Sequence, residues 1–435
     1  MRSNLSLRVV AAALVACAAY LITNVSSSAQ VPTALPGQVI ISELRFRGPE
    51  GLRDEYIELY NNTDSLICVQ ASDTSPGWAV AISGLNAAGQ PITGNAFTIP
   101  NGTCIPARGH LLGANNEVGG YSLSGYPAAS PSPTGTPAPS PTPFVGTTPD
   151  RTFLVADVPD GVGVALFTTT STINQNAATR LDAFGFTNSP ALFKEGNGFP
   201  VVPAVGTEHA LYRDLRPGGF HKDTNDNASD FLFVQTSTSI QPTLLGAPGP
   251  ENLSSPIVNN NLTGNLLDPA RTSSQSPNRE RNLQPVPNGD FGTLVIRRTI
   301  TNNTGLPVTR LRFRVINITG PGTENTCGGT LCADVRALSS SDGTATLSNQ
   351  TVVPVRGVRL EEPPSQPNGG GFNSSVSADF ITLTTPLAPG QSVNVQFTLG
   401  VMRTGTFRHI LSIEALTGSP PIILSATMLD STSLP

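Results

Sequence analysis

The stretch HKDTNDNASDF, residues 221–231, sets Asp223, Asn225, Asn227 and Asp230 close together just ahead of a phenylalanine. Oxygen-bearing side chains at the first, third and fifth places are how a calcium loop begins, because a hard cation needs several oxygens from a short stretch of chain. The sixth place here is Ala228 rather than glycine, and the twelfth is Val234 rather than a bidentate glutamate, which excludes an EF-hand. Two readings stay open. One is a shorter D-x-N-x-N-x-x-D calcium loop closed by Asp230. The other is a turn in which these side chains cap their own backbone amides before the strand FLFV.

Other residues capable of chemistry are weaker candidates. Glu43, Asp54, Glu55 and Glu58 fall in two neighbouring strand-like stretches. A glycosidase needs paired carboxylates across a cleft, yet Glu55 and Glu58 lie on opposite faces of one strand. A sheet face paired with Arg45 and Arg47 is the expectation for Glu43. The histidines, His110, His209, His221 and His409, are scattered with no metal-binding spacing, and GGYSLSG (119–125) lacks the Gly-x-Ser-x-Gly spacing of a nucleophile elbow. Arg310, Arg312 and Arg314, with Arg297 across an expected hairpin, make a basic stripe that would suit a polyanion. Phe313 faces the other way, so no aromatic platform accompanies it, and a solvated sheet face is the alternative. Trp78, the only tryptophan, is expected in the core. No triad, dyad or phosphate loop emerges, and a non-catalytic protein is expected, with no cofactor beyond calcium.

The elements that carry these residues are strands. Glycine (42) and proline (39) are abundant and charged residues make up 13%, a composition of short strands and many turns. Runs free of both residues that also carry the apolar spacing of a long amphipathic helix are almost absent after residue 30, so the fold class is all-β. QVIISELRF (38–46) and DEYIELYNNT (54–63) open the series. In RLRFRVINI (310–318), Leu311, Phe313 and Val315 alternate with the arginines, and in SVNVQFTLGV (392–401) every second residue is apolar. Such alternation belongs to antiparallel sheets with one wet face, hence to sandwiches. TLVIRRTITNNTGLPVTRLRFRV (293–315) has the look of a hairpin turning at NNTGLP. The Pro-rich run at about 122–150 cannot bury a core and is expected as a surface insertion. Residues 251–289 are expected as a Pro/Ser/Asn-rich linker between sandwiches at 37–250 and 290–420. Residues 31–250 carry 10 basic and 18 acidic side chains, while 251–435 carry 13 and 12. An acidic first part is a poor match for nucleic acid.

The amino terminus has Arg2 and Arg8, an apolar stretch from Val9 to Ile22, then Ser27 and Ala29, the pattern of a signal peptide (1–29) cleaved after Ala29. LVAC (14–17) is the alternative: a lipobox that would lipidate Cys17 and anchor the chain to a membrane. Either route leads out of the cytoplasm. In an oxidising compartment the other four cysteines are expected as disulfides, Cys68–Cys104 and Cys327–Cys332, since no CxxC pair or nearby histidine supplies zinc spacing.

VIISELRFRG (39–48), DEYIELYNNT (54–63), LDAFGF (181–186), HALYR (209–213), DTNDNASDFLF (223–233) and the exit GAPGPEN (246–252) together resemble, in order and spacing, the lamin tail domain in its bacterial, secreted form. The Pro-rich insertion and the two cysteines depart from that pattern. The resemblance implies an immunoglobulin-like β-sandwich that serves as an interaction module, without enzyme activity of its own. The remainder resembles immunoglobulin-like modules of secreted bacterial proteins. The expected role is therefore structural or adhesive at a cell surface, with a protein or cell-surface polymer as partner. A carbohydrate- or polyanion-binding accessory module is the alternative.

Overall fold

A β-bulge between Ile41 and Glu43 decides which side chains of strand Val39–Arg47 face the core. On one side of it, Val39 and Ile41 point into the core. On the other side, Leu44 and Phe46 do the same. The extra residue shifts the alternation, so that Glu43 and Arg45 project from the opposite face. The computed structural model describes residues 34–85, 91–125, 147–154, 158–202, 208–216, 219–237, 243–361, 368–418 and 432–433. All of these fall in one compact unit. The expected signal segment, Cys17 and most of the Pro-rich insertion lie outside the described residues.

The chain is nearly all β, as its composition predicts. Strand Val39–Arg47 sits at the centre of a seven-stranded sheet, antiparallel to His209–Arg213 on one side and to Tyr56–Asn61 on the other. His110–Asn115 follows Tyr56–Asn61, and Phe231–Gln235 follows His209–Arg213. A four-stranded sheet of Arg180–Phe184, Gly163–Phe167, Gly77–Leu85 and Pro91–Pro100 packs against it. Ile41, Leu44, Ile57, Leu59, Val80 and Leu166 belong to the core they share. Trp78 is fully buried there, with its indole N–H donated to the Gln70 carbonyl at 2.8 Å. The Cys68–Cys104 disulfide joins two short paired strands of this half.

A second pair of sheets packs around Leu311, Phe313, Val315, Val395, Phe397 and Leu399. The hairpin expected across 293–315 does not form. Thr293–Asn302 pairs with Ser392–Arg403, whereas Val308–Ile318 pairs with His409–Thr417 in the facing sheet. Both strands have an apolar face, and an arch lets those faces meet across the core, where a hairpin would set them side by side. Asn302 holds the arch: its Nδ2 donates to the carbonyls of Leu306 and Leu387, and its Oδ1 accepts from the Thr304 amide. The first half uses the same Asn-Asn-Thr device. Asn61 donates to Ser65, Ile105 and Pro106 carbonyls and accepts from the Thr63 amide. Cys327–Cys332 closes a small loop in the second half.

The segment 251–289 is no free linker. Ile257–Val258 pairs with His409–Thr417, while Leu262–Leu266 and Arg279–Asn282 both pair with Thr293–Asn302. Its polar, Pro-rich composition hid short strands whose backbones complete both sheets of the second sandwich. The two disulfides fit a non-reducing, extracellular environment. Among the described residues no helix is long and apolar enough to cross a membrane.

Candidate functional site

The outward face of the first sheet is not wet. All six residues of Tyr56–Asn61 are buried, and so are Glu43, Glu58, His110 and Tyr212. What covers them is the start of the second half. The Gly249 amide donates to Glu43 Oε1 at 3.1 Å, and the Glu251 amide donates to Glu58 Oε2 at 2.6 Å. Arg312 and Arg314 reach the Glu251 carboxylate from strand Val308–Ile318, with Arg314 Nη2 at 2.8 Å from Oε2. Both arginines also bond Glu414, which lies opposite Arg312 in the antiparallel register, with Nε–O distances of 2.7 Å. His110 closes the network, Nδ1 at 2.9 Å from Glu58 and Nε2 at 3.1 Å from Glu251. The space left between these groups has room for about one water molecule.

Electrostatics follow from the count. Four carboxylates (Glu43, Glu58, Glu251 and Glu414) face two guanidinium groups and one imidazole. Burial alone would discharge His110, but Glu251 and Glu58 on either side more than offset it and raise its pKa. Glu251 pays desolvation too, yet Arg314, His110 and Arg312 pull it down to about 2. One negative charge is then in surplus. Glu43 carries the consequence: burial and the neighbouring Glu58 push it up to about 7. Its remaining partners are the Tyr56 hydroxyl, donating at 2.6 Å, and the Gly249 amide.

This disposes of two expectations. The arginine stripe does not offer itself to a polyanion, because Arg312 and Arg314 are buried and engaged by Glu251 and Glu414, and Arg310 lies 4.0 Å from Glu361. Arg297 sits in the other sheet and pairs with Glu280. Nor do Arg45 and Arg47 serve Glu43. Arg45 is buried against Asp54 and Glu208, and Arg47 pairs with Asp160 at 3.2 Å. Glu55 points away from Glu58, as strand alternation requires, and accepts from the Val158 amide and Asn115.

The stretch 221–231 folds as a turn that runs into one helical turn, Asn227–Asp230, directly before strand Phe231–Gln235. Asp230 accepts from the Thr224 amide at 2.8 Å and its hydroxyl at 2.7 Å, the pattern of a side chain capping backbone. Asn225 takes the left-handed conformation (φ 57°) that asparagine tolerates. Asn227 is fully buried, accepting from the Gly185 and Glu195 amides at 2.9 Å and donating to the Ala183 carbonyl at 2.8 Å. Its oxygen is spent on the neighbouring loop, so the four side chains do not converge as a loop of ligands. Replacing Asn227 with alanine is expected to cost about 1–3 kcal/mol, the price of leaving those amides unpaired, measurable by urea denaturation.

Asp223 does enter a cluster, with different partners. It lies 3.6 Å from Arg213, which also bonds Asp182 at 2.7 Å and approaches Asp230 at 3.5 Å. Asp182, Glu195 and Asp223 each place a carboxylate oxygen within 4.8 Å of the others. Burial and then Asp182 raise the Glu195 pKa to about 9. Of the remaining histidines, His221 donates from Nδ1 to the Arg213 carbonyl at 3.1 Å, its pKa held well below the usual value by burial and then by His110. Burial likewise lowers His409 to about 4.

Glu251, Glu414, Asp182 and Glu195 belong to no motif in the sequence. A signal existed for two of them. Glu251 is the sole charged residue between Asp230 and Asp268, and Glu414 the sole acidic one between Asp379 and Asp430. A lone charge in a long uncharged stretch is expected to have a partner.

No family model, no curated protein and no solved structure matches this chain.

Proposed function

We propose that the chain is a secreted or cell-surface, non-catalytic interaction and structural protein, built on a lamin-tail-like domain backed by a second β-sandwich. Its partner would be a protein or a polymer of the cell surface. The observation that carries this reading is the use made of Glu43, Glu58, His110 and Glu251. They are the groups best suited to acid–base work, and every one is enclosed and bonded to a neighbour across the junction of the two halves. A cluster spent on fixing one sandwich to another serves mechanical continuity.

The test has two arms. The chain is expressed with its first 29 residues, and intact cells and medium are probed with a non-permeant protease and a thiol reagent. The expected result is an externally accessible chain with all four cysteines, Cys68, Cys104, Cys327 and Cys332, unreactive. The purified chain is then assayed against glycoside, ester and phosphodiester substrates beside Glu43→Gln. Turnover that this substitution abolishes would replace the structural reading with a catalytic one.

A further inference from the structure

We propose that Asp182, Glu195 and Asp223 bind a calcium ion, a site that shares only Asp223 with the loop suggested by sequence spacing. Three observations meet here. One oxygen from each carboxylate lies within 4.8 Å of the other two, a separation that a single cation can bridge. Glu195 is 6% exposed, its carboxyl group lies against that of Asp182, and its Oε2 is buried with no hydrogen-bond partner. Two carboxyl groups in contact repel unless a proton or a cation lies between them. The local charge is also unbalanced. Asp182, Asp223 and Asp230 surround Arg213, and Glu195 adds a fourth carboxylate. The nearby Lys222 sends its ammonium group to the Ser229 carbonyl instead.

The donor set selects the ion. Carboxylate oxygens alone favour a hard cation. Magnesium keeps most of its water and demands near-ideal octahedral geometry, whereas calcium accepts several carboxylates in irregular arrangements. Asp223 is the most accessible of the three, its side chain 14% exposed. Gly37 stands beside it: a β-carbon there would lie 2.8 Å from Asp223 Oδ2, and the backbone is left-handed (φ 78°). Glycine thus lets the carboxylate sit against the strand entrance. Extracellular calcium modules work at dissociation constants of about 10⁻⁴–10⁻³ M, which suits a disulfide-bonded chain. Glu58, His110 and Glu251 also cluster, but His110 has a carboxylate at each ring nitrogen. An imidazolium so held has no lone pair for a metal.

The experiment is calcium titration calorimetry and thermal melting of the full chain, in calcium against EDTA, with magnesium as comparison. Glu195→Gln and Asp223→Asn are the test variants. Asn225→Gly, which suits the left-handed backbone, is the control. Circular dichroism in EDTA establishes that each variant is folded. Wild type is expected to bind calcium, with folding favoured about 100-fold when calcium stands at 100 times its dissociation constant. Both test variants should lose the response, Asn225→Gly should keep it, and magnesium should give a smaller shift. The proposal is overturned if folded wild type shows neither heat nor shift, if both test variants respond like wild type, or if magnesium matches calcium. A Glu195→Gln chain more stable than wild type, with no calcium response in either, would mean that a shared proton holds the pair.

Discussion

Replacing Glu251 with alanine is expected to destabilise the chain by about 3–5 kcal/mol, the usual cost of removing one partner from a buried charge network. Three cations converge on this carboxylate: Arg312, Arg314 and the His110 imidazolium. Without it, the two guanidinium groups fall back on Glu414, with Glu361 3.9 Å from Arg312, and His110 keeps only Glu58. The penalty measures stranded charge more than the worth of any one bond. Arg314→Ala is therefore expected to be costly in wild type and much less so in the Glu251→Ala background. Such coupling, of the order of 0.5–3 kcal/mol, is what a double-mutant cycle reads for residues in one network. Urea denaturation of the four proteins at pH 6 supplies it. Additive losses would mean that the network does not act as a unit.

The sequence made the class of fold legible because alternation survives in single strands. Leu311, Phe313 and Val315 face the core as the pattern requires, and so do Val395, Phe397 and Leu399. What it could not carry was which outward faces are wet. Glu58 alternates with Ile57 and Leu59 as a solvated residue would, and is buried all the same because the second half lies over it. Alternation reports two faces of a strand; it does not say what stands opposite the polar one. The arch at 302–308 reads as a hairpin in the sequence for a related reason. The turn residues NNTG fit both, and only the partner strands, 392–403 and 409–417, distinguish them. The cation cluster was half legible. Asp223 stood out by spacing, while Asp182 and Glu195 come from distant positions that share no motif with it.

Glu43→Gln is expected to stabilise the chain at pH 8 by up to roughly 3 kcal/mol and to be nearly neutral at pH 4.5, a figure that converts the rise of the carboxyl from 4.5 to about 7. The sign follows from where the proton is held. A carboxyl raised in the folded state keeps its proton there while the unfolded chain has lost it, so stability falls as pH rises from about 4.5 to about 7. Glutamine carries no charge to bury, and its carbonyl oxygen can still accept from Tyr56 and the Gly249 amide. The other groups set the background. His110, raised, contributes fully below pH 6.5 and loses its contribution as pH rises through its folded value. Glu251, lowered to about 2, contributes above about pH 4.5 and fails as pH falls toward 2. His409, lowered to about 4, and His221 oppose acidification from pH 6.5 downward, since the unfolded chain protonates them first. Between about pH 4.5 and 6.5 these contributions oppose one another, Glu43 falling and the two histidines rising with pH, so the wild-type profile there is their sum. The difference between variant and wild type reads Glu43 together with the junction groups coupled to it, because the titrations of groups outside the junction are common to both. Urea denaturation in calcium-free buffer from pH 4 to 9 reads it directly. A difference that stays constant with pH would mean that the Glu43 carboxyl is not raised in the folded chain, and that the surplus proton of the junction resides on another group.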